Sequence, residues 1–532
     1  MDPLKPAPAK DPYVPWMCLL LIAGILCRVW RYALHFPLRG DEAMLALNLL
    51  DFHEFGPAFG QAMHYNQVAP PLFFIISQAM RLGFGCDEWV LRLLPMAAGL
   101  AALMGFFWFL RRNVGSLAAA IATALMAVSF NPVMDAADFK PYAVDLFCGV
   151  VYLAIGWRLL GIQKNAISGE PLPCPPGGLP RRTLWALLLI GPLSIALSFP
   201  AALLFGGLSL MLLPVLFRRG RIADWSIYIG CNLLSAAAFF WAIAPTFSPA
   251  YQSVNQTMQQ FWQSGFPGHG FSGVVQWLWQ ANVKAVFGYP FRDRQWLGAL
   301  CGAFALVGIA ALLRQKQQRL LGLLLLPFAL TVFAAIVRKY PYGGDTRLAQ
   351  HLAPAVFLLV GVGIGALVEA LRKGGRAWAP WIAHGLLAAL FLIVPVRMIH
   401  DFRHPYLRPA DNSPALDAAA RAAAIKIATE LRDSPPVHFY AVDAEADAPS
   451  VFNWYLQNHL ANIQWQAPPP AQLISQGDAG GFVELLYPAE NDPPVALQPG
   501  WTRTTLLDEP FFLEKGGKRQ VRVDRFAPPA SK

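Results

Sequence analysis

The chain has 532 residues, of which 56% are hydrophobic and only 14% are charged. A water-soluble globule of this size does not bury so much apolar surface, so the composition excludes a soluble protein and predicts an integral membrane protein. The formal charge of +10 does not indicate nucleic acid binding, because the basic residues cluster in short loops without interleaved base-stacking aromatic residues.

The apolar segments predict an all-α polytopic membrane protein with about eleven transmembrane helices. Five clusters of basic residues between these segments are expected to be cytoplasmic under the positive-inside rule, and eleven spans satisfy that placement. The predicted spans are residues 16–36, 89–110, 116–130, 141–160, two within 184–217 that divide near Pro200, 223–245, 296–313, 320–337, 353–371 and 378–398. Residues 70–85 begin with two prolines and are too short to cross, so we predict an interfacial or re-entrant helix there.

This topology divides the chain into three parts. Residues 1–15 are a cytoplasmic tail, residues 16–400 a transmembrane domain with external segments 37–88, 131–140, 246–295 and 338–352, and residues 401–532 a small extracytoplasmic α/β domain. In that last part we predict a helix over 414–432 and strands over 437–442, 482–487, 502–507 and 519–526. We expect a plasma membrane protein, in a bacterium the inner membrane, with its N-terminus inside and its C-terminal domain outside.

Two adjacent acids follow the first apolar segment. Asp41 and Glu42 lie in the sequence HFPLRGDEAML, at the predicted outer boundary of the membrane. Acids also suit the N-terminus of an amphipathic helix, and that structural interpretation stays open. Adjacent carboxylates repel each other, so one holds its proton more tightly, and ionisable groups at a membrane boundary often mark function. We therefore predict that this pair is catalytic.

A second group of charges lies in the short external loop after the third span. The sequence FNPVMDAADFKPYAVDLF carries Asp135, Asp138, Lys140 and Tyr142. An ordinary polar turn that ends at Pro141 is the structural alternative. The concentration of acids, a lysine and a tyrosine at one membrane face favours a charged substrate instead.

A third group breaks the charge rule that the other clusters obey. Arg338, Lys339, Arg347 and His351 lie in VRKYPYGGDTRLAQHLAP, on the predicted outer side, where an excess of basic residues indicates an anion. If the segment is α-helical, Arg347 and His351 share a face and are able to hold a phosphate together. Pairing with lipid headgroups is the alternative. The glycine turn before them allows close backbone approach.

The external segment 246–295 is rich in amides and aromatic residues. Aromatic belts at the membrane interface are the default explanation for such residues. Stacking of a carbohydrate on Trp262, Trp277 or Trp279 is the alternative.

Together these motifs resemble a known family. The Asp-Glu pair, APPLFF at 69–74, LRLLPMAAGL at 91–100, DFKPYAVDLF at 138–147 and YPYGGDTRLAQHLAP at 340–354 are similar, in order and spacing, to the C-type membrane glycosyltransferases. Within these, the chain most resembles glycosyltransferase family 39, the branch of the protein O-mannosyltransferases and the aminoarabinose transferase that modifies lipid A. The resemblance covers residues 15–400.

The resemblance implies an inverting enzyme that moves a sugar from a polyprenyl-phosphate carrier to a lipid, glycan or protein acceptor on the outer face. It implies Asp41 as the base, with Glu42 beside it and Asp138 as a second acid. Lys140 stands where many relatives have arginine, and Arg347 and His351 fall where the family holds the carrier phosphate. Tyr142, Tyr342 and His64 complete the predicted substrate-binding set.

The partners implied are the lipid-linked donor, the acceptor and membrane lipids, without nucleic acid. No cofactor is predicted. Some related enzymes use a divalent cation and others do not, so metal dependence stays open.

The predicted chemistry also follows from the residue types. Inversion at an anomeric carbon needs a carboxylate that deprotonates the incoming hydroxyl and cations that stabilise the departing phosphate. A transporter or flippase for a lipid-linked saccharide is the alternative. Transporters place polar sites near the bilayer midplane, often between repeats, whereas the acids here concentrate at one boundary and no repeat is evident.

Overall fold

The computed structural model describes residues 11–52, 55–162, 179–291, 294–403, 414–431, 437–441, 447–459, 463–465, 482–486, 500–512 and 518–527. The N-terminal lysines at 5 and 10 lie outside these ranges. Positions 432, 442 and 487 also lie outside these ranges. They are the last residues of the predicted helix 414–432 and of the predicted strands 437–442 and 482–487.

The molecule is mainly helical. Each long helix carries an apolar sequence that ends at polar or glycine-containing turns; α4, for example, starts where the Asp87 carboxylate accepts a hydrogen bond from the Trp89 N–H (2.8 Å) and ends with two arginines. The helices are α1 (Val14–Ala33), α2 (Gly40–Asp51), α3 (Pro71–Phe84), α4 (Glu88–Asn113), α5 (Ser116–Val128), α6 (Phe130–Met134), α7 (Tyr142–Leu159), α8 (Arg181–Leu197), α9 (Ala201–Arg219), α10 (Ile222–Ile243), α11 (Ala250–Phe261), α12 (Gly270–Gln280), α13 (Gln295–Arg314), α14 (Gln318–Ile336), α15 (Ala353–Lys373), α16 (Ala379–Arg403), α17 (Pro414–Leu431) and α18 (Asp447–His459).

The helices that are long and apolar enough to cross a membrane are fewer than the eleven spans predicted. In the described residues, nine helices are long and apolar enough to cross a membrane, or ten if the bent pair α5 and α6 is one span. The predicted fifth span is α8, which has only 17 residues and starts with two arginines. The division of residues 184–217 falls near Pro200, between α8 and α9, as predicted. The short helix predicted at 70–85 is α3, with 14 residues. The chain is a multi-pass membrane protein.

Two arginines donate to the carbonyls at the break between α5 and α6, where the axis bends by 55°. At a bend, carbonyl groups lose their intrahelical partners and need other donors. The Arg28 guanidinium of α1 donates to the carbonyls of Met126 (2.9 Å) and Ala127 (3.2 Å). From α16, Arg397 donates to the carbonyls of Val128 (2.9 Å) and Phe130 (3.1 Å). The bend sends the following loop across the end of the bundle.

Helices α1 and α16 run side by side in the same direction. At their starts the Trp16 indole N–H donates to His384 Nδ1 (2.9 Å), and at their ends Arg31 pairs with Asp401 (3.6 Å) with both side chains buried. The candidate site lies at the end of the bundle where α1 stops. There α2, the loop after α6 and the segment before α15 meet.

The C-terminal region, from α17 onward, packs α17 and α18 with a five-stranded mixed sheet. Its strands are β1 (Val437–Ala441), β2 (Ile463–Trp465), β3 (Phe482–Leu486), β4 (Thr502–Phe512) and β5 (Lys518–Ala527), in the order β2-β1-β3-β5-β4. β1 is parallel to β2 and β3, whereas β5 is antiparallel to β3 and β4. The predicted α/β class is confirmed, but β2 and α18 were not predicted.

Candidate active site

The two adjacent acids lie in the first turn of α2. Arg39 occupies the N-cap position, and its backbone N–H donates to Glu42 Oε2 (3.0 Å), so neither acid is itself the N-cap residue. Successive residues of a helix point about 100° apart. Asp41 and Glu42 therefore face different surroundings although they are neighbours in the chain.

Glu42 is completely buried. The Arg92 guanidinium of α4 donates to both of its carboxylate oxygens (3.1 and 2.8 Å), and the Phe139 N–H donates to Oε1 (2.5 Å). Arg92 also donates to the carbonyls of Phe36 (2.6 Å) and Pro37 (3.0 Å). Glu42 and Arg92 thus join α2, α4, the α1–α2 loop and the loop after α6 at one point.

Asp41 is more open, since 36% of its side chain is exposed. Its two oxygens face two cations from distant parts of the chain: Oδ1 lies 2.7 Å from Lys140 Nζ, and Oδ2 lies 3.4 Å from Arg347 Nη1. Residues that are 306 positions apart therefore meet at one partly exposed carboxylate.

The loop after α6 supplies Lys140 and Asp138. The Lys140 ammonium is buried and also donates to Gln67 Oε1 (2.7 Å), while Asp138 pairs with Arg39 Nη2 (3.2 Å). Asp135 is buried deeper in the bundle, where it accepts from the Gln350 amide. The structure thus brings Asp138 and Lys140 to the acidic pair and leaves Asp135 apart from it.

Arg347 is held between an acid and two aromatic rings. It pairs with Asp345 (3.1 Å), and its guanidinium carbon lies 5.8 Å from the ring centres of both Tyr142 and Trp262. Before it, Gly343 and Gly344 adopt left-handed backbone angles, with φ of 82° and 81°. A Cβ atom on Gly343 would lie 2.5 Å from the Ala281 side chain, so the predicted close approach at this turn is present.

The expectation that Arg347 and His351 share a helical face is wrong. Residues Thr346–Leu352 form a 3-10 helix, which has three residues per turn, so positions four apart point in different directions. His351 is buried, and its Nε2 lies 3.1 Å from the Thr331 hydroxyl of α14. It anchors the 3-10 helix rather than facing Asp41.

Two other predicted residues lie beside the site without touching Asp41. His64 pairs with Asp51 (3.0 Å), and its backbone N–H donates to the Asn48 side chain (2.7 Å), which ties the loop that carries Gln67 to α2. The Tyr342 hydroxyl donates to Asn282 (2.8 Å), and the Tyr342 carbonyl accepts from the Trp277 indole (3.2 Å). Of the three predicted stacking tryptophans, Trp262 faces Arg347, Trp277 is buried and Trp279 is exposed.

The pKa values of Asp41 and Glu42 are both lowered by neighbouring cations. Burial would raise the pKa of the Asp41 carboxyl, but Lys140, Arg347 and Arg39 together hold that pKa well below its usual range. Burial would also raise the pKa of Glu42, and the guanidinium groups of Arg92 and Arg39 lower it instead. Burial lowers the pKa of Lys140, and Asp41 offsets only part of that effect. Both acids are ionised at neutral pH, so the expectation that one of them holds its proton more tightly is wrong.

The donor set around Asp41 does not fit a divalent cation. Asp41, Glu42, Asp138 and Asp345 each lie against arginine or lysine, and such cations repel a metal ion. Within the described ranges, one group of three acidic or imidazole ligands is close enough to hold a metal, namely His35, Asp87 and Glu88. That group does not include Asp41.

Three residues of the site were not predicted from the sequence: Arg39, Gln67 and Arg92. A signal existed for Arg92, because an arginine inside an apolar helix is costly unless an acid or carbonyl groups accept its protons. For Gln67 the sequence gives no such signal.

Comparison with solved structures shows the fold. The chain is 15% identical to ArnT from Cupriavidus metallidurans bound to undecaprenyl phosphate, covering 96% of this chain and 97% of that one with a TM-score of 0.50. It is 13% identical to the same protein in the apo state, over 97% and 98% of the two chains, with a TM-score of 0.52. An oligosaccharyltransferase from Archaeoglobus fulgidus, tethered to an acceptor peptide, matches at 12% identity over 87% of this chain and 64% of that chain, with a TM-score of 0.46.

At these identities the likeness to ArnT shows the fold alone. No protein-family model matches the chain, and no curated protein sequence matches it significantly.

Proposed function

We propose that the protein is an inverting glycosyltransferase that moves a sugar from a polyprenyl-phosphate carrier to an acceptor on the outer face of the membrane. The observation that carries this proposal is the meeting of Lys140 and Arg347 at the partly exposed carboxylate of Asp41. A base beside two cations, at the end of a bundle of apolar helices, suits a substrate whose charged head emerges from the lipid. ArnT, which shares the fold, was crystallised with undecaprenyl phosphate.

In the proposed reaction, the acceptor hydroxyl attacks the anomeric carbon of the donor while Asp41 removes the hydroxyl proton. The bond from the anomeric carbon to the phosphate oxygen breaks, and its electron pair goes to the departing polyprenyl phosphate. Lys140 and Arg347 stabilise the charge that develops there. Because attack and departure take place on opposite sides of the carbon, the configuration inverts.

The ion pairs that Asp41 makes with Lys140 and Arg347 suggest that the bound donor also controls the strength of the base. Lys140 and Arg347 hold the pKa of Asp41 low, which makes its carboxylate a weak base. A donor phosphate competes with Asp41 for the same two cations. We expect donor binding to raise the pKa of Asp41 and thereby strengthen the base only when the sugar is in place.

The remaining predicted residues have supporting roles in this proposal. Glu42 and Asp138 hold the arginines that frame the site, and Tyr142 packs against Arg347. His64, Tyr342 and His351 position the segments that carry Gln67 and Arg347. No step is assigned to a divalent cation.

The direct test uses the purified full-length protein with a panel of polyprenyl-phosphate-linked sugars. Mass spectrometry of envelope lipids and glycans, with and without the gene, identifies the sugar and the acceptor. We expect Asp41→Asn to lower transfer by about 100- to 10,000-fold, the usual range for loss of a general base, while the donor still binds. The matched control is Glu369→Gln, which removes an acid from an exposed ion pair with Arg372.

Unchanged transfer in Asp41→Asn, or a wild-type protein that transports a lipid-linked sugar without transferring it, contradicts the proposal. The second outcome favours the transporter alternative.

A further inference from the structure

The α1–α2 loop, residues 34–39, holds the acidic pair in place from one side. Its carbonyls at Phe36 and Pro37 accept hydrogen bonds from the buried Arg92. His35 in the same loop adopts a left-handed backbone angle, with φ of 49°, which is unfavourable for a residue with a side chain. A loop with such an angle keeps its shape only when its surroundings fix it.

The C-terminal region supplies a contact on the other side of this loop. The Tyr455 hydroxyl of α18 accepts a hydrogen bond from the Leu38 N–H (3.0 Å) and donates one to Glu88 Oε1 (2.6 Å). The Tyr455 side chain is buried. Leu38 lies three positions before Asp41, and Glu88 starts the helix that carries Arg92. One hydroxyl therefore joins the entry to α2 and the start of α4.

Arg421 of α17 reinforces this contact. Its guanidinium lies 3.6 Å from Glu88 Oε1 and donates to the His35 carbonyl (3.3 Å), and its carbon lies 5.6 Å from the centre of the Tyr455 ring. His35 in turn pairs with Glu88 Oε2 (3.0 Å). The C-terminal region thus contacts the α1–α2 loop through two helices, α17 and α18.

We infer that Tyr455 is a positioning residue for Asp41, so that the C-terminal region completes the active site. The inference rests on the proposed function of Asp41 as the base. Among the contacts of the described residues, none joins Tyr455 to Lys140 or Arg347, so its loss is expected to displace the base and to leave the phosphate contacts intact. A shift of about 1 Å in a reacting group is enough to lower a rate by up to 100-fold.

Tyr455→Phe tests this, because it keeps the ring and removes only the hydroxyl. We expect kcat for sugar transfer to fall by about tenfold, with KM for the lipid-linked donor unchanged within about twofold. Amide hydrogen exchange of residues 36–42 should become faster in the full-length protein, because the Leu38 N–H loses its acceptor.

The matched control is Thr505→Val. It removes a hydroxyl that donates to Asp524 (2.7 Å) between β4 and β5, within the C-terminal region and away from the α1–α2 loop. We expect unchanged kcat and unchanged exchange of residues 36–42. If both variants lose kcat equally, or if Tyr455→Phe matches the wild type in kcat and exchange, the inference is wrong.

Failure of the proposed function gives a different result. A wild-type protein that transfers no sugar from any donor contradicts the proposed function, and the exchange experiment still tests the contact. Unchanged exchange of residues 36–42 in Tyr455→Phe then overturns the inference by itself.

Discussion

The first turn of α2 has a closed side and an open side. On the closed side, Glu42 is fully buried and accepts hydrogen bonds from Arg92, the Arg39 N–H and the Phe139 N–H. On the open side, Asp41 is 36% exposed and meets the ends of two long side chains. Neighbouring residues of the same charge therefore serve different purposes. Glu42 joins the segments around the site, and Asp41 is the residue that we propose faces the substrate.

The largest effect is expected on the closed side. Glu42→Gln leaves the buried Arg92 without its counter-charge, and breaking a buried ion pair in this way costs about 3–5 kcal/mol of stability. Thermal unfolding in detergent measures the loss. Asp41→Asn should lose far less, because its carboxylate is partly exposed. An equal loss of stability in Glu42→Gln and Asp41→Asn would contradict the distinction between the closed side and the open side of α2.

The buried ion pair of Glu42 with Arg92 also predicts how the stability of the protein depends on pH. The folded pKa of Glu42 lies below its unfolded value, so its contribution is fully present above the ordinary carboxyl range. It is lost as the pH falls through the lowered pKa. The Glu42→Gln protein should therefore lose less stability than the wild type over that acidic range.

On the open side, Arg347→Met should lower kcat/KM by about 100-fold, the usual cost of removing one preorganised contact to developing charge. Arg347 also lowers the pKa of Asp41, so its removal raises that pKa. The base must be ionised to act. As the pH is lowered, the variant should therefore lose activity at a higher pH than the wild type does. A pH profile of kcat/KM with an unmoved acid limb would contradict the assignment of Asp41.

Lys140→Arg tests the shape of the second cation. The buried ammonium fits between Asp41 and Gln67 as a point charge, whereas a guanidinium is planar and larger. We expect about a tenfold loss of kcat/KM, or about 1.4 kcal/mol. Steady-state kinetics with the lipid-linked donor measure it. Activity equal to the wild type would show that only the charge matters.

The smallest effect is expected at the aromatic wall of the open side. Trp262→Ala removes the ring beside Arg347, and a partly exposed cation–π contact contributes about 0.5–1 kcal/mol. We expect kcat/KM to fall by about threefold, with Trp262→Phe close to the wild type. A far larger loss would indicate that the ring stacks directly on the sugar.

The sequence predicted the parts of the fold that depend on composition. Most spans agree with the helices to within a few residues, since a lipid environment requires long apolar helices. Among the described residues, nine helices and not eleven are long and apolar enough to cross a membrane, because α8 is short and because α5 and α6 form a bent pair. The length of an apolar segment can be read from a sequence. The hydrogen bonds from distant arginines that stabilise a bend cannot.

The site was predicted as a set of residue types and not as a geometry. The residue types singled out Asp41, Lys140 and Arg347, which the structure brings together. Only the resemblance separated Asp41 from Glu42, because their different surroundings depend on donors from α4 and the loop after α6. The error at His351 arose because a segment of seven residues has too few turns to separate a period of 3.0 from one of 3.6.

Helix α18 was missed for a related reason. Its sequence, DAPSVFNWYLQNH, begins with turn-forming residues and is buried over most of its length, with Phe452 and Trp454 fully enclosed. A helix that is buried on several sides shows no clear polar and apolar faces. One of the two helices that contact the α1–α2 loop was therefore not recognisable from the sequence pattern.

The arginine at the bend of α5 has a consequence for biogenesis. Arg28 lies in α1, which is synthesised before α5; it donates to the Gly24 carbonyl of α1 itself, but its other two acceptors, the carbonyls of Met126 and Ala127, lie 98 and 99 residues further along the chain. An arginine inside an apolar helix is costly to insert until its protons find acceptors. We therefore expect α1 to reach its final depth in the membrane only after α5 has emerged from the ribosome.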